Sequence, residues 1–363
     1  MKKLLCALLT AALCTLSFGG FALAAEADVG IVLPTKDEPR WLQDQARFES
    51  VIADTDYSVE VLFSQGSSAA ERTNVETLIA KGIKILIICA HDAGAAGLTV
   101  ETAKEEGIQV ISYDRLITGT EAVDYYVTFD SIAVGEAMGQ YLLDNAQGTG
   151  NSLYLYAGAA TDNNAFLFFE GAWNILQPKI ADGTFIIRNS SEATALKDQY
   201  ALTRDQQAAI IGQITTDWDF NVAKSKAESN LTAVAASEKG LCYVLAPNDG
   251  TARSIADVFA SDADVNGFYV TGQDAEIASV QYVIDGKQSM TVFKDTRSLA
   301  QDAMDMAITI IEGGVPETDT AYDNTLIEVP AKQTPVVVVT KENVKEALID
   351  SGYYSASQFT DLD

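Results

Sequence analysis

The chain has 363 residues, room for two domains of ordinary size. Its 48% hydrophobic, 9% aromatic and 21% charged composition excludes a disulfide-stapled miniprotein and a disordered or fibrous chain. With 51 acidic against 24 basic residues the formal charge is −27, which repels nucleic acid and anionic lipid rather than attracting them.

In chain order, Met1 to Ala24 reads as a secretory signal. Lys2 and Lys3 form its basic start, an apolar run extends from Leu4 to Leu23, and Ala22-Leu23-Ala24 is a small-x-small cleavage site. Cleavage would take the charge from −27 to −29, and no later apolar run reaches the roughly 20 residues that span a bilayer. Leu13 stands before Cys14 where lipid attachment needs a small residue, so the expected product is exported and not a lipoprotein. Cys89 and Cys242 remain, each inside an apolar strand-like run, and are expected to be buried free thiols.

Short apolar runs then alternate with longer stretches of helical spacing, the pattern of βαβ units and a parallel sheet. A first set comprises strands at 28–34, 59–65, 83–90, 108–114 and 125–130, with helices at 40–53 (Trp41, Phe48, Val51 and Ile52 inward), 70–81 and 93–106. A second set has strands at 151–158, 184–189, 241–247, 267–274 and 289–295, with helices at 132–145, 164–180, 220–237, 251–260 and 277–284. Residues 190–216 read as an insertion with an amphipathic piece at 205–214. A helix at 298–312, an extended run at 326–340 and a helix at 342–350 are left over, which suggests that the chain crosses back between the two units. The fold class expected is α/β: two doubly wound parallel-sheet lobes joined by a three-strand hinge, with a ligand cleft between them.

Ligands of open parallel sheets bind beyond the carboxyl ends of the strands. There this sequence places Pro34-Thr35-Lys36 and Arg40-Trp41, then His91-Asp92, Asp114-Arg115, Asp162-Asn163-Asn164, Asn248-Asp249, Gln273-Asp274 and Lys294-Asp295. Any one Asp or Asn after a strand is adequately explained as a helix cap, and Trp41 or Trp218 alone as a core or rim aromatic. Their recurrence in both halves is not. Carboxylates, amides and cations make charge-assisted bonds to hydroxyls, and an aromatic face can hold the C–H face of a pyranose.

In PTK…RW (34–41), YDRLI (113–117), TFD (128–130), DNNAF (162–166), PNDG (247–250), TGQDAE (271–276) and FKDTR (293–297), the chain resembles the periplasmic monosaccharide-binding proteins of sugar ABC importers, especially xylose-binding and multiple-sugar-binding receptors, along nearly its whole mature length. The resemblance implies sugar contacts from Arg40, Trp41, Asp114, Arg115, Asn164, Asn248, Asp274 and Lys294. Trp218 would be the second lobe's tryptophan, and Lys36, His91, Asp92 and Asp162 outer or sugar-dependent contacts. By analogy the crossovers lie near Asp130, Phe293 and Val329. That gives lobes of 25–130 plus 294–328 and 131–293 plus 329–363, after a signal at 1–24. The implied ligand is an aldopentose or aldohexose. The implied partners are a membrane ABC permease and, as a further candidate, a chemoreceptor or sensor kinase, the receptor being a periplasmic monomer without cofactor, metal or nucleic acid. The segment 193–214 and His91-Asp92 depart from the family pattern, which leaves the preferred sugar open.

Two rival classes fit less well. An enzyme would have to use the single histidine, His91, or a carboxylate pair, and the sequence has neither a G-x-S-x-G elbow nor a phosphate-binding G-x-x-x-x-G-K-[ST] loop. The effector domain of a sugar-responsive repressor would lack the export signal and carry a basic helix-turn-helix. Asp262, Asp264 and Asn266 imitate the start of a calcium loop, but Gln273 stands where its bidentate glutamate belongs.

Overall fold

The computed structural model describes residues 27–362 apart from position 54. The signal expected at 1–24, with Cys6 and Cys14, lies outside the described residues. Among the described residues no helix is long and apolar enough to cross a membrane.

The first lobe begins with β1 (Val29–Leu33), α1 (Pro39–Ile52), β2 (Val59–Phe63), α2 (Ser68–Ala80), β3 (Ile85–Ile88), α3 (Ala96–Glu105), β4 (Gln109–Tyr113) and β5 (Tyr125–Phe129). These strands pair in parallel in the order β2-β1-β3-β4-β5. β1 and β3 are apolar throughout and wholly buried, as strands covered by helices on both faces must be. In α1, Trp41 and Phe48 point inward and are buried, while Val51 and Ile52 are half-buried.

The second lobe runs through α4 (Ser131–Asp144), β6 (Asn151–Leu155), α5 (Asn163–Ala181), β7 (Phe185–Ile187), α6 (Ser191–Ala195), α7 (Arg204–Ile214), α8 (Phe220–Ala233), α9 (Ala236–Lys239), β8 (Gly240–Leu245), α10 (Asp249–Ser261), β9 (Val265–Val270), α11 (Ile277–Ile284) and β10 (Thr291–Lys294). Its parallel sheet has the order β7-β6-β8-β9. β10 touches it only at the bridge between Gln273 and Val292, so the second sheet is smaller than the even repetition in the sequence suggests. The helix expected over 220–237 breaks after Ala233 into α8 and α9. The insertion folds as α6 and α7 and buries Ala193, Ile210, Ile211 and Ile214 in the lobe's main core. α4 and α5 approach so closely at Gly135 that a Cβ there would lie 2.0 Å from the Phe168 carbonyl oxygen.

After β10 the chain returns: α12 (Thr296–Ile311) packs against α1 and the first sheet, and β11 (Thr320–Asp323) pairs antiparallel with β12 (Glu328–Thr334) at that sheet's edge. Residues Ala331–Thr334 lie in parallel register with Tyr126–Phe129, so the third passage falls at Pro335, not near Val329. Residues 329–334 are held in the first lobe by this ladder. Only then does β13 (Val336–Val339) pair antiparallel with β10. The helix expected at 342–350 is a single wide turn, Lys345–Asp350. Two of the three passages are fixed by helix caps: the Asp130 side chain accepts from the Ala133 N–H at 2.9 Å and that of Asp295 from Arg297 at 3.0 Å.

Candidate functional site

In both sheets the first strand sits inside the order, β1 between β2 and β3 and β6 between β7 and β8. Each lobe therefore has a switch point where successive loops diverge and leave a crevice at the carboxyl ends. The two crevices face one another around a cavity lined by residues of both lobes.

Ten of the residues singled out in the sequence line it: Arg40, Trp41, Asp114, Arg115, Asp162, Asn164, Trp218, Asn248, Asp274 and Lys294. At its centre the Arg40 guanidinium contacts Asp44 at 2.5 and 3.1 Å, Asp114 at 2.9 Å and Asp274 at 3.3 Å. Lys294 Nζ lies 2.8 Å from Asp274 and 3.9 Å from Asp114. Arg115 pairs with Asp162 at 2.9 Å and more loosely with Glu38 at 3.7 Å. The Asn164 amide donates to the Asp114 carbonyl at 2.9 Å and its carboxylate at 3.3 Å. The Arg40–Asp274, Arg115–Asp162 and Asn164–Asp114 contacts all run from one lobe to the other, as does the Ala93 N–H bond to the Thr161 carbonyl.

Burial shapes the charges. It acts to neutralise Asp114, but Lys294, Arg40 and Arg115 outweigh it and hold this carboxyl below its usual range. It disfavours the charge on Arg40, which Asp44, Asp114 and Asp274 more than restore. Burial pushes Asp162 up against the pull of Arg115, and raises Glu38 to about 7 although Arg115 opposes it.

Backbone geometry aims these groups. Asp114 and Asp274 have φ of 60° and 99°, left-handed values that cost an ordinary residue roughly 1–3 kcal/mol and persist only where the surroundings enforce them. Tertiary bonds do so here: the Asp114 N–H donates to Val127 at 2.8 Å and the Asp274 N–H to Val292 at 2.9 Å. Trp218 is placed differently, on the turn after α7. Asp217 and Trp218 both have positive φ, the turn is tied to the segment just after β6 by the Thr216 N–H bond to the Ala157 carbonyl at 2.8 Å, and the indole lies over Gly158. A Cβ at Gly158 would come within 2.0 Å of that ring, so only glycine admits the tryptophan there.

Three sequence candidates stand apart from the inner cavity. Lys36 is exposed and lies over the Phe63 ring at 4.7 Å. Asp92 turns back on its own loop, accepting from the Gly94 and Ala95 N–H groups at 3.0 and 2.8 Å, which is the capping role that competes with binding at any strand-end Asp. His91 lines an outer cavity that shares Glu38, Arg115 and Trp218 with the inner one. Conversely, Glu38 and Phe168 line the site and Asp44 supports it without having been singled out, and Gln273, noted as a strand-end residue but not among the expected sugar contacts, lines it as well. Helical spacing could have found two of them, since Asp44 is four residues after Arg40 in α1 and Phe168 four after Asn164 in α5.

Cys89 and Cys242 are buried and free. The calcium-like segment is an ion pair instead: Lys239 Nζ lies 2.7 Å from Asp262 and 3.6 Å from Asp264. No group of metal-binding side chains occurs among the described residues.

The periplasmic binding protein domain model matches residues 29–314. The chain is 34% identical to the multiple sugar-binding periplasmic protein SbpA of Azospirillum brasilense over 91% of its own length and 90% of the relative's. It is 33% identical to the multiple sugar-binding periplasmic receptor ChvE of Rhizobium radiobacter over 99% of both. Among solved structures, a carbohydrate transporter solute-binding protein from Chloroflexus aurantiacus in complex with D-glucose superposes with a TM-score of 0.92 at 65% identity, covering 94% of this chain and all of that one. On the strength of these matches the chain belongs to the periplasmic binding protein domain family.

Proposed function

We propose that this protein is an exported, non-catalytic periplasmic receptor that captures one aldopentose or aldohexose between its lobes and delivers it to a membrane ABC permease. The observation that carries this reading is the composition of the inner cavity. Three aromatic rings, those of Trp41, Phe168 and Trp218, and a lattice of amides and paired ions line one cavity at the junction of the lobes. Relatives named for sugar binding and a glucose-bound neighbour support it. Three passages at Asp130, Asp295 and Pro335 suit hinge closure, in which a sugar bonded to both half-sites stabilises the closed state by its differential affinity. The permease reads the closed pair of lobes, and a chemoreceptor or sensor kinase could read the same surface.

A thermal-shift panel of neutral pentoses and hexoses tests the reading, with D-glucose as the first probe. A ligand at 100 times its dissociation constant adds about 2.7 kcal/mol to stability. Small-angle scattering should show compaction with the sugar that binds. Silence across the panel, or hydrolysis of aryl glycosides by the pure protein, would overturn the proposal.

A further inference from the structure

The cavity's charge balance narrows the ligand class. Arg40, Arg115 and Lys294 are its lining cations, and four carboxylates line it with them. Each cation is already committed: Arg40 to Asp44, Asp114 and Asp274, Lys294 to Asp274, and Arg115 to Asp162. A ligand carboxylate would enter a buried site where every cation is already paired and carboxylates are in excess, with like charges only weakly screened.

The cavity-lining polar atoms that lack partners are neutral. Gln273 is 2% exposed, and its amide nitrogen is used by the Pro247 carbonyl at 2.9 Å, so its orientation is fixed and its Oε1 is left as a buried acceptor without a donor. Trp41 Nε1 and Trp218 Nε1 are buried donors without acceptors. Hydroxyl groups, which donate and accept, satisfy all three, whereas a carboxylate in a hydroxyl's place has nothing to donate to Gln273.

We infer that the site selects neutral sugars over the corresponding uronic acids, and that Asp162 is the residue that sets this preference by occupying Arg115. The inference rests on the sugar-receptor reading above. Asp162 has a second task as the cap of α5, accepting from the Asn164 N–H at 2.9 Å. Asparagine retains that acceptor while removing the charge opposite Arg115, which would then keep Glu38 at 3.7 Å as its paired carboxylate and the Ala90 carbonyl at 3.4 Å.

The test is calorimetry at pH 7.5 with D-glucose against D-glucuronate and D-galactose against D-galacturonate, on the natural protein and on Asp162→Asn. For the natural protein each uronate should bind at least 100-fold more weakly than its neutral partner. In Asp162→Asn that ratio should shrink at least tenfold, through gain of uronate affinity, which a merely structural role for Asp162 would not produce. If Asp162→Asn does not fold, Glu38→Gln, which frees Arg115 from its other carboxylate, should move the ratio in the same direction. Uronate affinity within tenfold of the neutral sugar, or an unchanged ratio in the folded variant, overturns the inference while leaving the receptor reading in place. Absence of binding by every neutral sugar overturns both.

Discussion

The two lobes contribute to the cavity in different ways. The first supplies charge from strand ends and the helix that follows: Arg40 and Trp41 open α1, and Asp114 and Arg115 follow β4. The second contributes the amides of Asn164, Asn248 and Gln273, the rings of Phe168 and Trp218, the carboxylates Asp162 and Asp274, and the Lys294 cation. The two first-lobe arginines each meet a carboxylate from the second, Arg40 with Asp274 and Arg115 with Asp162. The first half-site therefore acts as an electrostatic frame, and the second as a fitted wall whose ions lock that frame when the lobes meet.

Breaking the frame should have the largest effect. Arg40→Ala would leave the buried Asp44 without a cation, and Asp114 and Asp274 with Lys294 as their shared neighbour, and breaking a buried pair in this way typically costs about 3–5 kcal/mol. Urea denaturation should show that loss, together with loss of sugar binding. Asp274→Ala removes the lock from the second lobe and should cost about 2–4 kcal/mol of sugar binding by calorimetry, with folding retained. A result within 0.5 kcal/mol of the natural protein, a margin usual for an uninvolved surface position, would remove Asp274 from the site.

Disturbing the wall tests the other half of the comparison. Gly158→Ala inserts a methyl group where the Trp218 ring lies, and overpacking of this kind costs about 1–3 kcal/mol. Because the turn can move outward, the loss should appear in sugar affinity more than in thermal stability. Equal affinity would show that Trp218 is not a ligand wall.

A smaller effect concerns the loop that carries His91. Glu71 is fully buried and accepts from the His91 N–H at 2.7 Å. Burial raises its carboxyl from 4.5 to about 7, against that bond and Arg115 and with help from Asp92. Its folded value exceeds its unfolded one, so the folded state holds a proton that the unfolded chain releases, and this contribution is lost as pH rises from about 4.5 to about 7. Glu71→Gln keeps the acceptor and removes the titration. Between pH 5 and 8 the natural protein should lose about 2–3 kcal/mol more stability than the variant, and parallel pH profiles would contradict this. The smallest effect is expected at Asp262, remote from both half-sites. Asp262→Ala leaves Lys239 with Asp264 at 3.6 Å and should cost less than about 1 kcal/mol, as partly exposed ion pairs do, with sugar affinity unchanged.

The amino-acid sequence by itself determined the alternation of strands and helices, the two-lobe α/β architecture and the first-lobe frame. Periodicity is a local property, and strand-end polar residues are carried to the crevice by any doubly wound sheet. Local signals also explain where the reading stopped. Asp92 and Asp162 look alike as strand-end acids that cap the backbone following them, yet only Asp162 also reaches Arg115 across the cleft, because the packing of the lobes decides which further partner is within 3 Å. The third passage moved from Val329 to Pro335 for a similar reason: the run 326–340 is uniformly extended, and pairing with β5 is what decides where it leaves the first sheet. Gln273, Glu38 and the fit of Trp218 over Gly158 depend on contacts among residues far apart in the chain. The tertiary structure alone decided them, since chemical type fixes what a side chain can bond to, while only the folded backbone fixes what lies within its reach.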